Sequence, residues 1–143
     1  MTTRPGDPLQ RFVDAQAPVF ADVCDELAAG RKRTHWMWFI FPQLRELGRS
    51  ATARFYGLVS RDEALAYWRH PVLGPRLKRC AELVLNVSGR TAREIFGTPD
   101  DLKLRSCMTL FADVAAEEPV FARVLERFYG GRPDEMTLAL LRP

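Results

Sequence analysis

A chain of 143 residues and 16.3 kDa has the length of one domain, and burying roughly 68% of its unfolded surface gives a core without disulfide or metal staples. Apolar residues make up 47% and charged residues 27%, which excludes a disordered chain. The net charge of +3, carried by 18 Arg and 3 Lys against 18 acids, neither demands nor excludes an anionic partner.

Asp7-Pro8 reads as the opening of a short helix with Leu9, Phe12 and Val13 inward. The six residues before it, rich in Thr, Pro and Gly, are expected to be a flexible N-terminus, leaving 7–143 as a single helical domain. They contain no apolar h-region, so the sequence predicts a cytoplasmic protein without a secretory signal. Pro18 breaks the first helix and starts a second, whose Phe20, Val23, Cys24, Leu27 and Ala28 recur at steps of three and four until Gly30 stops it.

Thr34 to Gln43 has neither a 2 nor a 3.6 period, and its longest apolar run, Trp36 to Phe41, is far short of the ~20 residues of a membrane span. The neighbouring stretches all read as helical, so this one is expected to be a short buried helical or irregular segment ended by Pro42. A turn over Leu44–Leu47 closes at Gly48, and Ser50 caps a piece running toward Tyr56. Ser60 and Glu63 form a capping-box pattern ahead of a helix with Ala64, Leu65 and Trp68 inward. Leu73, Leu77, Cys80, Ala81 and Val84 mark the next helix. Thr91 and Glu94 repeat the box pattern over a short helix that Gly97 terminates.

Thr98-Pro99-Asp100-Asp101 is the strongest start in the chain, predicted as N-cap, Pro at N1 and acids in the first turn. Leu104, Cys107, Met108, Phe111, Val114 and Ala115 are its core stripe. Pro119 opens a helix ending at Gly130-Gly131, and Asp134 to Leu141 forms a terminal turn. The fold class is therefore all-α: seven or eight short helices in one compact domain, packed at steep angles rather than as a regular bundle.

Glycine-rich phosphate loops, metalloprotease motifs and nucleophile elbows are missing, and no cofactor is expected. Two histidines, and cysteines far apart at 24, 80 and 107, give no metal-ligand spacing. The cysteines, on apolar helical positions, are expected to be reduced packing residues.

Two stretches could carry chemistry. In the first, two tryptophans and two phenylalanines lie within six residues, bracketed by Lys32 and His35 on one side and Gln43 on the other. Aromatic planes, a cationic rim and polar ends suit a pocket for a ring with an anionic group, although Trp and Phe equally suit a plain core. His35 has the reference pKa for acid–base work and is the candidate catalytic residue. In the second, Lys103, Ser106, Thr109 and Asp113 run along adjacent lines of the helix beginning near Asp100. Hydroxyls clustered in mid-helix point to an inter-helix hydrogen bond or a ligand contact. Gly48-Arg49-Ser50 is a weaker, common anion-binding pattern.

Lys32-x-x-His35-Trp36-Met37-Trp38-Phe39-Ile40-Phe41-Pro42-Gln43, Gly48-x-Ser50, His70-Pro71-x-Leu73-Gly74-x-Arg76-Leu77 and Asp101-x-Lys103-Leu104-x-Ser106-x-Met108-Thr109-Leu110-Phe111 together resemble the domain-of-unknown-function family 1810. The resemblance runs from about Asp7 to Leu141 and implies a small, all-helical, stand-alone protein. It brings no catalytic residues to carry over. Cys107 stands where the family often has a second serine.

The leading functional reading is a site where the Lys32–Gln43 segment meets the Lys103–Thr109 helix. Trp36 and Trp38 would stack a ring, Lys32 and Lys103 would hold an anion, and His35, Gln43, Ser50, Ser106 and Thr109 would orient the ligand. The ligand expected is a nucleotide-like anionic small molecule, and any reaction would be that of a hydrolase or transferase. The alternative is a protein-interaction module whose aromatics are core. A third reading, weak nucleic-acid binding through Arg31-Lys32-Arg33, requires a single-sided basic face. No membrane partner is expected, and oligomeric state is not legible.

Overall fold

The computed structural model describes residues 7–142, so the expected flexible stretch 1–6 lies outside the described residues. Ten α-helices and one 3-10 turn follow one another in a single compact unit, with no strand among the described residues. The count exceeds the expected seven or eight because pieces as short as Met37–Ile40 form complete helical turns.

The first two helices, α1 (Gln10–Gln16) and α2 (Phe20–Ala28), flank the turn at Pro18. Gly30, at φ +71°, ends α2 in a Schellman motif in which Gly30 N–H donates to Leu27 O and Arg31 N–H to Glu26 O. The chain then reverses into α3 (Met37–Ile40), the short buried helical segment that the Trp36–Phe41 run predicts. Buried Gln16 ties three elements together. Its side-chain amide donates to Phe39 O at 2.7 Å and lies 3.0 Å from the Tyr67 hydroxyl, and its carbonyl accepts from Arg76 at 3.4 Å.

The 3-10 turn Arg45–Leu47 and α4 (Ala51–Phe55) follow. Leu44 and Leu58 form one isolated parallel bridge, where Arg45 N–H donates to Leu58 O and Leu58 N–H to Gln43 O. Gly57 is required beside it, because a Cβ there would stand 2.4 Å from Arg45 Cα. Ser50 Oγ accepts from Ala53 N–H, as expected of a cap.

The next helix, α5 (Arg61–Arg69), departs from expectation twice. Ser60 Oγ accepts from Glu63 N–H, but Glu63 completes no box: its carboxylate takes Val59 N–H at 2.9 Å and Arg11 at 3.3 Å. Its most buried ring is Tyr67, while Leu65 and Trp68 are only half-buried. Trp68 keeps its indole N–H near the surface to reach Glu117 at 2.8 Å.

The other two long helices of the core are α6 (Leu73–Leu85) and α8 (Asp100–Val114), linked by α7 (Ala92–Phe96), whose Thr91/Glu94 box is complete. Gly74 lets α6 start against α5, since a Cβ would meet Trp68 O at 2.0 Å. Thr98 does not cap α8: the cap position falls on Pro99, with no side-chain bond. The helix is central rather than one-sided. It packs on α5, α7, α9 (Val120–Tyr129) and α10 (Glu135–Leu141), and Ser106 to Phe111 are all buried.

Candidate functional site

The Lys32–Gln43 stretch divides in two. Its first half is a closed knot around Glu26. One carboxylate oxygen accepts from Arg33 N–H (2.6 Å), Thr34 N–H (3.0 Å) and Trp36 Nε1 (2.9 Å), and the other from the Thr34 hydroxyl (2.7 Å). Burial works against ionisation of Glu26, but these donors overcome it and hold the carboxyl at about 2. Trp36 is 1% exposed and packs edge-on against Phe96 and tilted against Phe41. It is a core residue with no open face for a ligand ring. His35 is exposed and lines none of the clefts described below.

The second half ends at Gln43, which lines a cleft of about 720 Å³ between the Gln43–Ser50 segment and the first turns of α8, closed at the far end by the start of α10. Gln43, Glu46, Leu47, Gly48, Arg49, Ser50 and Ala53 form one wall; Pro99, Leu102, Lys103 and Ser106 form the other; Asp134 and Met136 complete it. Four of the residues expected at a site (Gln43, Ser50, Lys103 and Ser106) therefore meet here. Lys32, Trp36, Thr109 and His35 are not among the lining residues.

Lys103 stands between the cleft and Trp38. Its ammonium lies 5.5 Å from the Trp38 ring centroid and 3.8 Å from Asp100 Oδ1. The other oxygen of Asp100 is taken by Lys32 at 3.0 Å, a cation whose side chain is only 8% exposed and which also packs over the Trp36 ring. Asp100 is thus already neutralised at close range, which leaves the Lys103 charge largely available to the cleft. Trp38 borders a crevice of about 10 Å³ shared with Met37, Phe41, Gln43, Ala53, Tyr56 and Lys103, room for one water at most. Ring stacking on Trp38 would first require Lys103 to leave.

Ser106 and Thr109 join α8 to α10. Ser106 Oγ lies 3.2 Å from both Leu102 O and Asp134 Oδ2, and Thr109 Oγ1 donates to Arg105 O while accepting Asp134 N–H, both at 2.8 Å. Asp134 in turn caps α10 by accepting from Thr137 N–H. This is the inter-helix bond that mid-helix hydroxyls suggest, and it buries Thr109 completely enough to remove it from the cleft. Asp113, the end of the same seam, instead bridges to Arg61 of α5 at 2.9 Å.

Sequence reasoning did not reach Asp134 and Met136, which arrive from the C-terminal helix through tertiary packing alone, nor Glu46 and Leu47. Arg49 lay within the Gly48-Arg49-Ser50 pattern. Leu102 and Met136, 55% and 64% exposed, give the rim an apolar surface. The side-chain amide of Gln43 and the guanidinium of Arg49 have no partner among the described residues.

A second cleft of about 610 Å³ lies between the start of α1 and α4, lined by Arg11, Arg45, Arg54, Phe55, Val59 and Glu63 among others. Arg11 is committed to Phe55 O, Gly57 O, Pro8 O and Glu63. No group of three or more His, Cys, Asp or Glu among the described residues is arranged to hold a metal ion, and no described helix is long and apolar enough to cross a membrane.

Residues 7–141 match the family described as "Protein of unknown function (DUF1810)". The fold is similar to the crystal structure of the conserved hypothetical protein Rv1873 from Mycobacterium tuberculosis, with a TM-score of 0.95 and 55% sequence identity over 97% of this chain and 99% of that one. Comparison with curated proteins gave no match.

Proposed function

The chain belongs to the DUF1810 family, whose description states no function, and we propose that its Gln43–Ser50/α8 cleft binds a small, anionic, nucleotide-like molecule. One observation carries the reading: Lys32 neutralises Asp100, so Lys103 presents its charge at the cleft edge. Arg49 supplies a second cation on the opposite wall. The Ser50 hydroxyl, whose lone pair serves Ala53 N–H, keeps its proton for an acceptor. Gln43 offers both amide polarities, and Ser106 sits at the base. Leu47, Leu102 and Met136 give an apolar bed for a ring, the role that Trp36 and Trp38 have given up to the core and to Lys103. The volume lies in the range of about 300–1,000 Å³ typical of small-ligand sites.

The function proposed is binding. His35, the candidate acid or base of a hydrolase or transferase, is not a lining residue, and no reaction is assigned. Free thiols at 24, 80 and 107 favour a reducing, cytoplasmic setting. Arg31 and Arg33 are exposed but Lys32 is turned inward, so the three cations do not form one continuous exposed patch.

A second reading, an interaction module, is favoured by Phe55 and Val59, 59% and 61% exposed beside Arg45 and Arg54. Sedimentation over a concentration series, with Phe55→Ser as control, decides whether that face makes a dimer.

The test of the first reading is a thermal-shift screen against nucleotides, dinucleotides, sugar phosphates and acidic metabolites. A ligand at 100 times its Kd adds about 2.7 kcal/mol, several degrees in Tm for a chain of this size. The shift is expected in the parent and lost in Lys103→Ala. A flat screen, or a shift retained in both Lys103→Ala and Gln43→Ala, overturns the reading.

A further inference from the structure

Five large apolar side chains are exposed among the described residues: Phe55, Val59, Leu102, Met136 and Leu140. They are not scattered. Phe55 and Val59 line the cleft beside α4, and Val59 and Leu140 line a neighbouring crevice of about 60 Å³. Leu140 and Met136 lie one turn apart on α10, and Met136 and Leu102 edge the cleft between the Gln43–Ser50 segment and α8. The five therefore follow one another along one side of the molecule, with Leu140 in the middle. Single exposed apolar residues are ordinary, but a continuous line of five is more than a monomer usually leaves to water.

α10 makes the same point by itself. Its Thr137 is wholly buried, and Asp134 ties its start to Ser106 and Thr109 of α8. Met136, Ala139 and Leu140, at i, i+3 and i+4, are all exposed. A helix that packs on one face only carries polar residues outward, whereas α10 turns an apolar stripe to solvent.

The charges beside the line differ between its halves. Near Phe55 and Val59, Arg11 pairs with Glu63 and Arg61 with Asp113. The exposed guanidinia of Arg45 and Arg54 have no partner among the described residues. Near Met136 and Leu102, the exposed carboxylates of Glu46 and Glu135 are likewise unpartnered. Of the two cations lining the cleft in that half, Lys103 is drawn over Trp38 toward Asp100, which leaves Arg49.

We propose that this line is the interface of a two-fold dimer of the chain, with the copies running head to tail about Leu140. The arrangement sets Phe55 and Val59 of one copy against Leu102 and Met136 of the other, and Leu140 against Leu140. It brings Arg45 and Arg54 to Glu46 and Glu135 once for each copy, the self-complementarity that an isologous contact requires. Laying the two arginine halves on each other would instead oppose four unpartnered cations. The proposal rests on the Phe55–Val59 reading above and extends it to a longer face that includes α10.

Sedimentation equilibrium of the full chain, from micromolar to near-millimolar concentration, is expected to show a monomer–dimer equilibrium. Leu140→Glu, which sets two carboxylates together at the two-fold axis, is expected to be monomeric. Arg54→Glu and Glu135→Arg are each expected to raise the dimer Kd several-fold, and the double variant to return it toward the parent value. All three positions are exposed, and circular dichroism checks that the variants fold. Parent protein that stays monomeric throughout, as it would if an unrelated protein covered this face, overturns the proposal, and this arm needs no variant. So does a double variant that dimerises no better than the single ones. A dimer lost in Phe55→Ser but kept in Leu140→Glu leaves the shorter face as the interface and overturns the longer one. Leu140 does not line the ligand cleft, so Leu140→Glu is expected to keep any ligand-induced thermal shift.

Discussion

The Glu26 knot and the Lys103 cleft lie at the two ends of the same aromatic segment, the cleft touching it only through Gln43, and they treat polar atoms in opposite ways. In the knot a single carboxylate collects four donors, and Trp36 brings its one N–H to it. In the cleft the Gln43 amide and Arg49 guanidinium are unpartnered within the described residues, and Lys103 keeps only a distant acid. A fully satisfied network fixes a chain path, whereas unspent donors around a cavity are a surface ready for a ligand. The difference separates a satisfied structural knot from a cleft with spare donors, which is the one proposed to bind a ligand.

If that division is right, substitutions in the two regions must separate stability from binding. The largest loss of stability is expected from Glu26→Ala, which strands the buried Trp36 indole N–H and three part-buried donors and should cost about 3 kcal/mol. That amounts to a Tm drop of roughly 10 °C, measurable by thermal or urea unfolding. Glu26 also sets an acid limb. Its carboxyl is held at about 2 in the folded chain against an ordinary value of ~4.3 unfolded. The stability it contributes is complete above the unfolded value and is lost as pH falls from there toward 2. Glu26→Gln should flatten that part of the stability–pH curve; an unchanged curve would remove the knot from the account.

An intermediate effect is expected at the α8–α10 junction. Thr109→Val keeps the volume but leaves the half-buried Asp134 N–H without its acceptor, a loss of about 1 kcal/mol by urea unfolding. Because Asp134 sits at the end of the cleft, ligand affinity should fall with it. Equal stability in Thr109→Val would mean that α10 is held elsewhere.

The smallest stability change is expected at Lys103→Ala, within about 0.5 kcal/mol, since its ion pair is long and partly exposed. The same variant is expected to lose the ligand-induced shift. A Lys103 variant that unfolds the protein while Glu26→Ala leaves it intact would invert the comparison.

The fold was legible wherever local chemistry decides it. Ser50, the Thr91/Glu94 box, Gly30, Gly97 and Gly130 mark ends that depend on a side chain or a positive φ within a few residues. It was less legible where tertiary contacts compete for the same atoms: Glu63 abandons its box because Val59 N–H and Arg11 offer better partners. Glu26 could not be found from sequence, since its role depends on the reversal after Gly30 that brings residues 33 to 36 back over α2. The cleft was legible on its α8 side and at Gln43 and Ser50. Lys32 and Trp36 belong to the right stretch of chain but face inward, because a period too short to fix a helix face cannot tell which aromatics point to the core.

The most direct test of that division is a titration of ¹⁵N-labelled protein with the most stabilising ligand of the screen, following the three indole N–H signals. Trp38, which carries Lys103 over its ring, is expected to shift with saturation, while Trp36 and Trp68, bonded to Glu26 and Glu117, stay in place. Movement of Trp36 with the ligand, or a Trp38 signal that stays fixed at saturation, would contradict the assignment of binding to the Lys103 cleft.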